Sequence, residues 1–135
     1  MRFRFALLAT ALVVGSSASA APQDNSRGEA KIAKALEGRT AGKPVKCVPF
    51  RSIRSSEIID GTAILYRLNN GDIYVNRPSG AATLDSDDIL VTRTPMSQLC
   101  SIDIVQLVSR SSRFYSGSVG LSEFVPYSKV RTAKK

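Results

Sequence analysis

The chain has 135 residues, 43% hydrophobic and 22% charged, with a formal charge of +8, two Cys, no His and no Trp. Those proportions describe one ordinary globular domain and exclude collagen-like, repetitive and compositionally disordered chains. Without histidine the chain cannot assemble a Ser-His-Asp or Cys-His nucleophile system, a histidine proton shuttle or an imidazole-ligated zinc site.

Met1-Arg2-Phe3-Arg4 leads into an apolar stretch from Phe5 to Gly15, followed by Ser16-Ser17-Ala18-Ser19-Ala20-Ala21-Pro22. This basic, apolar, small-residue succession has the layout of a secretory signal peptide, expected over residues 1–20 with cleavage after Ala20. About eleven apolar residues are too few to cross roughly 30 Å of hydrocarbon, so no stable membrane insertion is expected after cleavage. The mature protein is therefore expected in the periplasm or outside the cell. There, Cys47 and Cys100 have one intramolecular pairing open to them, and an oxidising compartment makes a disulfide the default.

Residues 21–44 read as a short helix and a linker. Ser26 with Glu29 has the spacing of a capping box, Ile32 and Leu36 lie four apart, and Gly38 suits a helix C-cap, which predicts a helix over 26–37. Residues 38–46, with Gly38, Gly42 and Pro44, read as the linker. A β-rich domain is expected over 45–127. Thr62 to Leu68 and Asp72 to Arg77 flank Asn70-Gly71, a strong hairpin signal. A two-residue type I′ turn there pairs Leu68 with Ile73, Arg67 with Tyr74, Tyr66 with Val75 and Leu65 with Asn76. Ile64, Tyr66, Leu68, Ile73 and Val75 would then share the core face, and Leu65, Arg67, Tyr74 and Asn76 the other.

Further strands are expected at Ser56–Asp60, Ile89–Arg93, Ile102–Ser109 and Gly117–Val119. The third carries apolar residues on both faces, as a central strand does. Single helical turns are expected at Pro49–Ile53, Pro95–Cys100 and Leu121–Val125. Residues 128–135 read as a basic C-terminal tail. The fold class is thus mainly β, a small curled sheet or barrel-like roll with one short N-terminal helix, short helical turns and one disulfide.

These pieces, in order, are similar to a family of small exported proteins of Gram-negative bacteria that carry a domain of unknown function. The resemblance rests on Cys47-Val48-Pro49 with Ile53-Arg54-Ser55, Ile58-Ile59-Asp60 with Thr62-Ala63-Ile64, and Tyr74-Val75-Asn76. It continues through Leu99-Cys100-Ser101-Ile102-Asp103 and Val119-Gly120-Leu121 with Phe124 and Pro126, covering about residues 45 to 127. Members often carry two further cysteines, where this chain has Ser79-Gly80-Ala81-Ala82 and Ser116-Gly117-Ser118-Val119. The resemblance implies an exported, stapled domain and brings no known activity.

No motif in the chain completes a catalytic or metal site. Asp85, Asp87 and Asp88 lack the Gly and Glu positions of an EF-hand loop. Ser128-Lys129, Tyr115 and Tyr127 are imaginable nucleophile components, but neither an S-x-x-K motif nor a G-x-S-x-G elbow is present. Gly117 and Gly120 lack the Walker spacing. The expectation is no cofactor, no metal and no catalytic residue.

Charge is more informative. Residues 26–54 hold eight basic and two acidic side chains, residues 57–88 two basic and six acidic, and residues 110–135 six basic and one acidic. If the two basic segments meet, one face is strongly positive and attracts an anionic envelope component, such as lipid headgroups or acidic polysaccharide, or an acidic protein. Export and the lack of any nucleic-acid-binding pattern argue against nucleic acid. The candidate binding residues are Lys46, Arg51 and Arg54, with Arg67, Tyr74 and Asn76 as a polar-aromatic strip on the hairpin. For Asn76 the alternative is a structural bond to a neighbouring turn. The expected function is an exported, non-catalytic binding or interaction protein of the cell envelope. The alternatives are a small His-independent enzyme using Tyr or convergent carboxylates, with Asp60, Asp103 and Glu123 as candidates, and a purely structural accessory protein.

Overall fold

The computed structural model describes residues 24–131; the signal-peptide reading and the end of the expected tail fall outside them. Helix α1 spans Ser26–Ala35. The capping box does not form, because the helix starts one residue earlier than that motif requires. Asn25 is the N-cap, the Ser26 N–H donates to Asp24 Oδ1 at 3.0 Å, and Glu29 reaches away to pair with Arg77. Gly38, at φ +69°, supplies the left-handed turn that ends the helical segment, and the chain enters β1 (Arg39–Ala41) at once.

Nine more strands follow: β2 (Cys47–Pro49), β3 (Ile53–Ile59), β4 (Ala63–Leu68), β5 (Ile73–Asn76), β6 (Asp88–Thr92), β7 (Gln98–Cys100), β8 (Ile104–Ser109), β9 (Tyr115–Gly120) and β10 (Phe124–Lys129). The fold is mainly β, with 47% of the described residues in strands and 15% in helical turns, arranged as open antiparallel sheets. The largest has the order β1-β10-β5-β4-β3, and two smaller ones are β6-β8-β9 and β2-β7.

Three expected segments are corrected by that large sheet. The linker contains β1, and the expected helical turn at Leu121–Val125 and the start of the expected tail give way to β10, which inserts between β1 and β5. Pro126 is accommodated in β10 opposite Tyr74, and its carbonyl accepts the Gly42 N–H at 2.7 Å. The expected helical turn at Pro95–Cys100 is corrected too, since extended β7 lays Leu99 opposite Val48 and Cys100 opposite Cys47. The turn after Pro49 is present, as a 3-10 turn at Phe50–Ser52.

The β4–β5 hairpin forms with its register one residue away from the expected one. Arg67 faces Ile73, Tyr66 faces Tyr74, Leu65 faces Val75 and Ile64 faces Asn76. Asn69, Asn70 and Gly71 make a three-residue loop. The Gly71 N–H donates to the Leu68 carbonyl at 3.0 Å, Gly71 sits at φ +89°, and the Leu68 N–H donates to the Asp72 carbonyl at 2.9 Å. This is a turn closed by a left-handed glycine, a combination seen in three-residue hairpin loops. A one-residue slip moves side chains between faces. Tyr74 and Asn76 therefore share a face with Ile64, Tyr66 and Leu68, while Arg67 lies on the opposite face with Leu65, Ile73 and Val75.

Both faces of the sheet are covered. On one, Ile32 of α1 packs with Ile59, Ala63, Leu65, Ile73 and Val75, flanked by Ala35, Leu36 and Tyr127. On the other, Ile58, Ile64, Tyr66, Leu68 and Phe124 meet Val48 and Leu99 of the two-stranded sheet and Val105, Leu107 and Val119 of the three-stranded sheet. Tyr66 and Phe124 pack edge to face with centroids 5.6 Å apart. The β8 strand is central in its sheet, but only one of its faces is buried: Val105 and Leu107 point inward, while Ile104 is 64% exposed and Ile102, ahead of the strand, 89% exposed. Cys47 and Cys100 form the expected disulfide. Among the described residues no helix is long and apolar enough to cross a membrane.

Candidate functional site

Antiparallel partners share a face, so the registers of the large sheet specify what gathers at its hairpin end. Arg39 on β1 is opposite Lys129 on β10; Tyr127, two residues back, is opposite Ile73 on β5; Ile73 is opposite Arg67 on β4; and Arg67 is opposite Ser55 on β3. The β3–β4 register shifts between Ile53 and Ser55. That bulge lets Arg54 join the same side as Ser55. The result is a cleft of about 290 Å³ lined by Arg39, Arg54, Ser55, Arg67, Ile73 and Lys129, with Leu68 and Gly71 of the hairpin. A hollow of about 620 Å³ shares Gly71 and Lys129 with it and adds Asn70, Asp72, Ser128 and Arg131.

The cleft is short of negative charge. Arg39 is held in place without being neutralised: its Nη1 donates to the Gly71 carbonyl at 2.7 Å and to the Tyr127 carbonyl at 3.4 Å. Arg67 pairs with Glu57 at 2.8 Å, both half-exposed. Arg54, Lys129 and Arg131 have no acidic partner among the described residues. Five cations thus line the cleft and its extension, accompanied only by Glu57 and by Asp72, whose carboxylate accepts a bond from Asn70.

The sequence candidates are distributed differently. Arg54 and Arg67 line the cleft, but Arg39 and Lys129 were not among them. The Arg67, Tyr74 and Asn76 strip is corrected by the hairpin register, which puts Arg67 on the opposite face from the other two. No Arg67–Tyr74 cation-π contact forms across that separation. Tyr74 instead lines a groove of about 440 Å³ with Arg51, Val45, Pro49 and Asn69. Asn76 is fully buried, donating to the Ser122 carbonyl at 2.5 Å and accepting the Ser122 N–H at 3.1 Å, so it ties down the β9–β10 turn. Lys46 is exposed and lines neither hollow, while its carbonyl accepts the Ser101 N–H.

The other singled-out groups have local duties. The Asp60 carboxylate accepts the Ser86 N–H at 2.6 Å, a bond that, with Lys31 nearby, holds its pKa below the ordinary carboxylate value. Asp103 accepts the Cys100 N–H at 2.7 Å. Glu123 hydrogen-bonds to neither of them. Asp85 accepts the Asp87 N–H, and Asp88 accepts the Ser116 hydroxyl. Tyr115 exchanges a hydrogen bond with Ser118. Ser128 and Lys129 are consecutive in a strand and face opposite sides, so the serine lacks that lysine as a base. Among the described residues no three acidic or cysteine side chains form a metal-holding group.

Comparisons with protein-family models, curated proteins and solved structures found no match to this chain.

Proposed function

We propose that this protein is an exported, non-catalytic binding module of the bacterial cell envelope, with an anionic ligand held in the cleft between Arg39, Arg54, Arg67 and Lys129. The observation that carries this reading is the pairing of β1 with β10, which brings the two basic segments of the chain together and sets Arg39 opposite Lys129. Oriented guanidinium groups in a concave surface attract anions and focus the field more than scattered surface charges do. Placement in the envelope draws support from the layout of residues 1–20, from the Cys47–Cys100 disulfide, and from the resemblance to exported domains. The carboxylate-enzyme alternative lacks comparable support, because Asp60 and Asp103 are each engaged with a separate backbone N–H.

The test is calorimetric titration of the purified protein with inorganic pyrophosphate at low and high salt. Binding that weakens with salt, and weakens further in Arg54→Gln/Lys129→Gln, supports the reading. Equal binding by that variant and the wild type, or no binding at low salt, sinks it.

A further inference from the structure

The three-stranded sheet turns one face to the core and leaves the other bare. Val105, Leu107 and Val119 point inward, so the residues that alternate with them point out: Ile89 beside Val108, Val108 beside Tyr115, Val91 beside Gln106 and Ile104 beside Gly120. Tyr115 is 63% exposed, and Phe114, in the β8–β9 turn, is 76% exposed. None of these outward positions is acidic. Arg93, just past β6, and Arg110 and Arg113, in the β8–β9 turn, stand exposed at the borders of the face with no acidic partner among the described residues. We propose that this face docks on an anionic lipid bilayer without spanning it, with Phe114 and Tyr115 entering the headgroup layer and the arginines resting on lipid phosphates.

The turn is suited to that layer. The Arg113 N–H donates to the Ser109 carbonyl and the Arg110 N–H to the Asp87 carbonyl, at 2.9 and 3.0 Å. The Ser112 N–H donates to Ser109 Oγ and the Phe114 N–H to Ser112 Oγ, at 3.3 and 3.4 Å. Donors already satisfied within the chain lose little when water is withdrawn. Arg113, at φ +63°, is the one non-glycine in the left-handed region among the described residues, and its bond to Ser109 fixes the turn, so Phe114 is presented with little loop left to order. Aromatic rings and arginines settle at the headgroup level, where an apolar body and a polar end are both accommodated. A second copy of this chain is a poorer occupant, because it sets the arginines of two such faces together with no carboxylate between them. The bilayer also leaves the cleft free. Val105 and Leu107 pack on one face of the large sheet, while α1 and the cleft cations lie on the other, so a protein resting on its three-stranded sheet turns the cleft away from the membrane.

The chain has no Trp, so Phe114→Trp places a lone fluorescent reporter in the turn. The whole purified protein carrying it is titrated with vesicles of phosphatidylcholine alone and of phosphatidylcholine mixed equally with phosphatidylglycerol, with and without bromine on the acyl chains. The expected result is a blue shift and bromine quenching with the mixed vesicles, both weakened by salt. In sedimentation with the mixed vesicles, Phe114→Ser should weaken binding about tenfold, and Arg110→Gln/Arg113→Gln about fivefold per charge removed. Lys34→Gln/Lys43→Gln, an equal change of net charge away from this face, should bind as the wild type does. Absence of a blue shift with mixed vesicles overturns the proposal, and is the result a protein partner at this face would give. Vesicle binding that Arg54→Gln/Lys129→Gln loses and the turn variants keep overturns it as well, by assigning the lipid to the cleft. Pyrophosphate titration of Phe114→Ser reports on the cleft alone, so the two readings fail separately.

Discussion

Replacing Gly28 by Ala sets a local preference against a packing constraint. Within an isolated helix the substitution favours helix formation by about 1 kcal/mol. In this fold Gly28 is buried against Thr62, and a methyl at its Cβ position would stand 1.9 Å from Thr62 Oγ1, 2.8 Å from its Cβ and 3.2 Å from its Cγ2. Thr62 is itself buried, and its hydroxyl donates to the Asp60 carbonyl at 2.9 Å, so it has little room to retreat. The helix must lift. Lifting costs at most the docking energy: roughly 2 kcal/mol for Ile32, under 1 kcal/mol for each exposed pair, Glu29–Arg77 and Lys31–Asp60, and a fraction for Leu36. Against the propensity gain this leaves a net loss of about 1–3 kcal/mol, a fall in urea midpoint of order 1 M for a domain of this size. Equilibrium unfolding followed by circular dichroism measures it. Adding Thr62→Gly removes every clashing atom, so in a double-mutant cycle Gly28→Ala should become neutral or stabilising. A higher urea midpoint for Gly28→Ala alone, or additivity within about 0.5 kcal/mol, would refute the close packing of α1 on the β3–β4 turn.

Three further outcomes are expected. Asn76→Ala leaves the Ser122 N–H and carbonyl without their partner beside a buried cavity and should cost about 2–4 kcal/mol in thermal unfolding. Reducing the disulfide, or the double change Cys47→Ser/Cys100→Ser, opens a loop whose ends lie 53 residues apart and should cost up to about 4 kcal/mol, measured as the shift in urea midpoint with and without dithiothreitol. Acid should loosen α1 first. The Arg77 guanidinium holds the Glu29 carboxyl below its ordinary value near 4.5, and the Ser86 N–H does the same to Asp60 below 3.8. Both native pKa values are depressed, so their stabilisation is fully present above about pH 4.5 and is lost as pH falls through the native values. Hydrogen exchange of the α1 amides should therefore show less protection at pH 3 than at pH 6, relative to β4 amides; parallel losses would count against this.

The hairpin shows how far local signals carry. Asn70-Gly71 marks its position correctly, but Asn69 also tolerates a loop, and both β4 and β5 bury residues on either face. Where neither face is polar, alternation no longer fixes register. That single residue of slip separates Arg67 from Tyr74. The β1 and β10 strands were illegible for other reasons. Arg39–Ala41 is only three residues long, and Pro126 in β10 reads as a strand breaker until its partner is known. Arg39 and Lys129 consequently looked like linker and tail. The charge blocks did point toward a positive face, but only the long-range ladder specifies which of their members share it. The helix and the disulfide are legible because each depends on local pattern or on a forced pairing, whereas Asn76, expected on the outward face with a turn bond only as the alternative, is tied to Ser122, 46 residues away, by a register the local pattern does not give.

The pairing of the first strand with the last has a consequence for the order of assembly. Arg39 bonds a carbonyl 88 residues away in sequence, and β10 is a filling strand with neighbours on both sides. A chain still emerging from a ribosome or a membrane pore can close the β3–β4–β5 meander but not the sheet that contains it. The positive cleft accordingly comes into being only with the final strand, and contacts of such long sequence separation form slowly. Until β10 has been made and inserted, Arg39 and Lys129 are ordinary surface cations with no partner strand between them, so the cleft is a property of the finished chain and of no shorter piece of it.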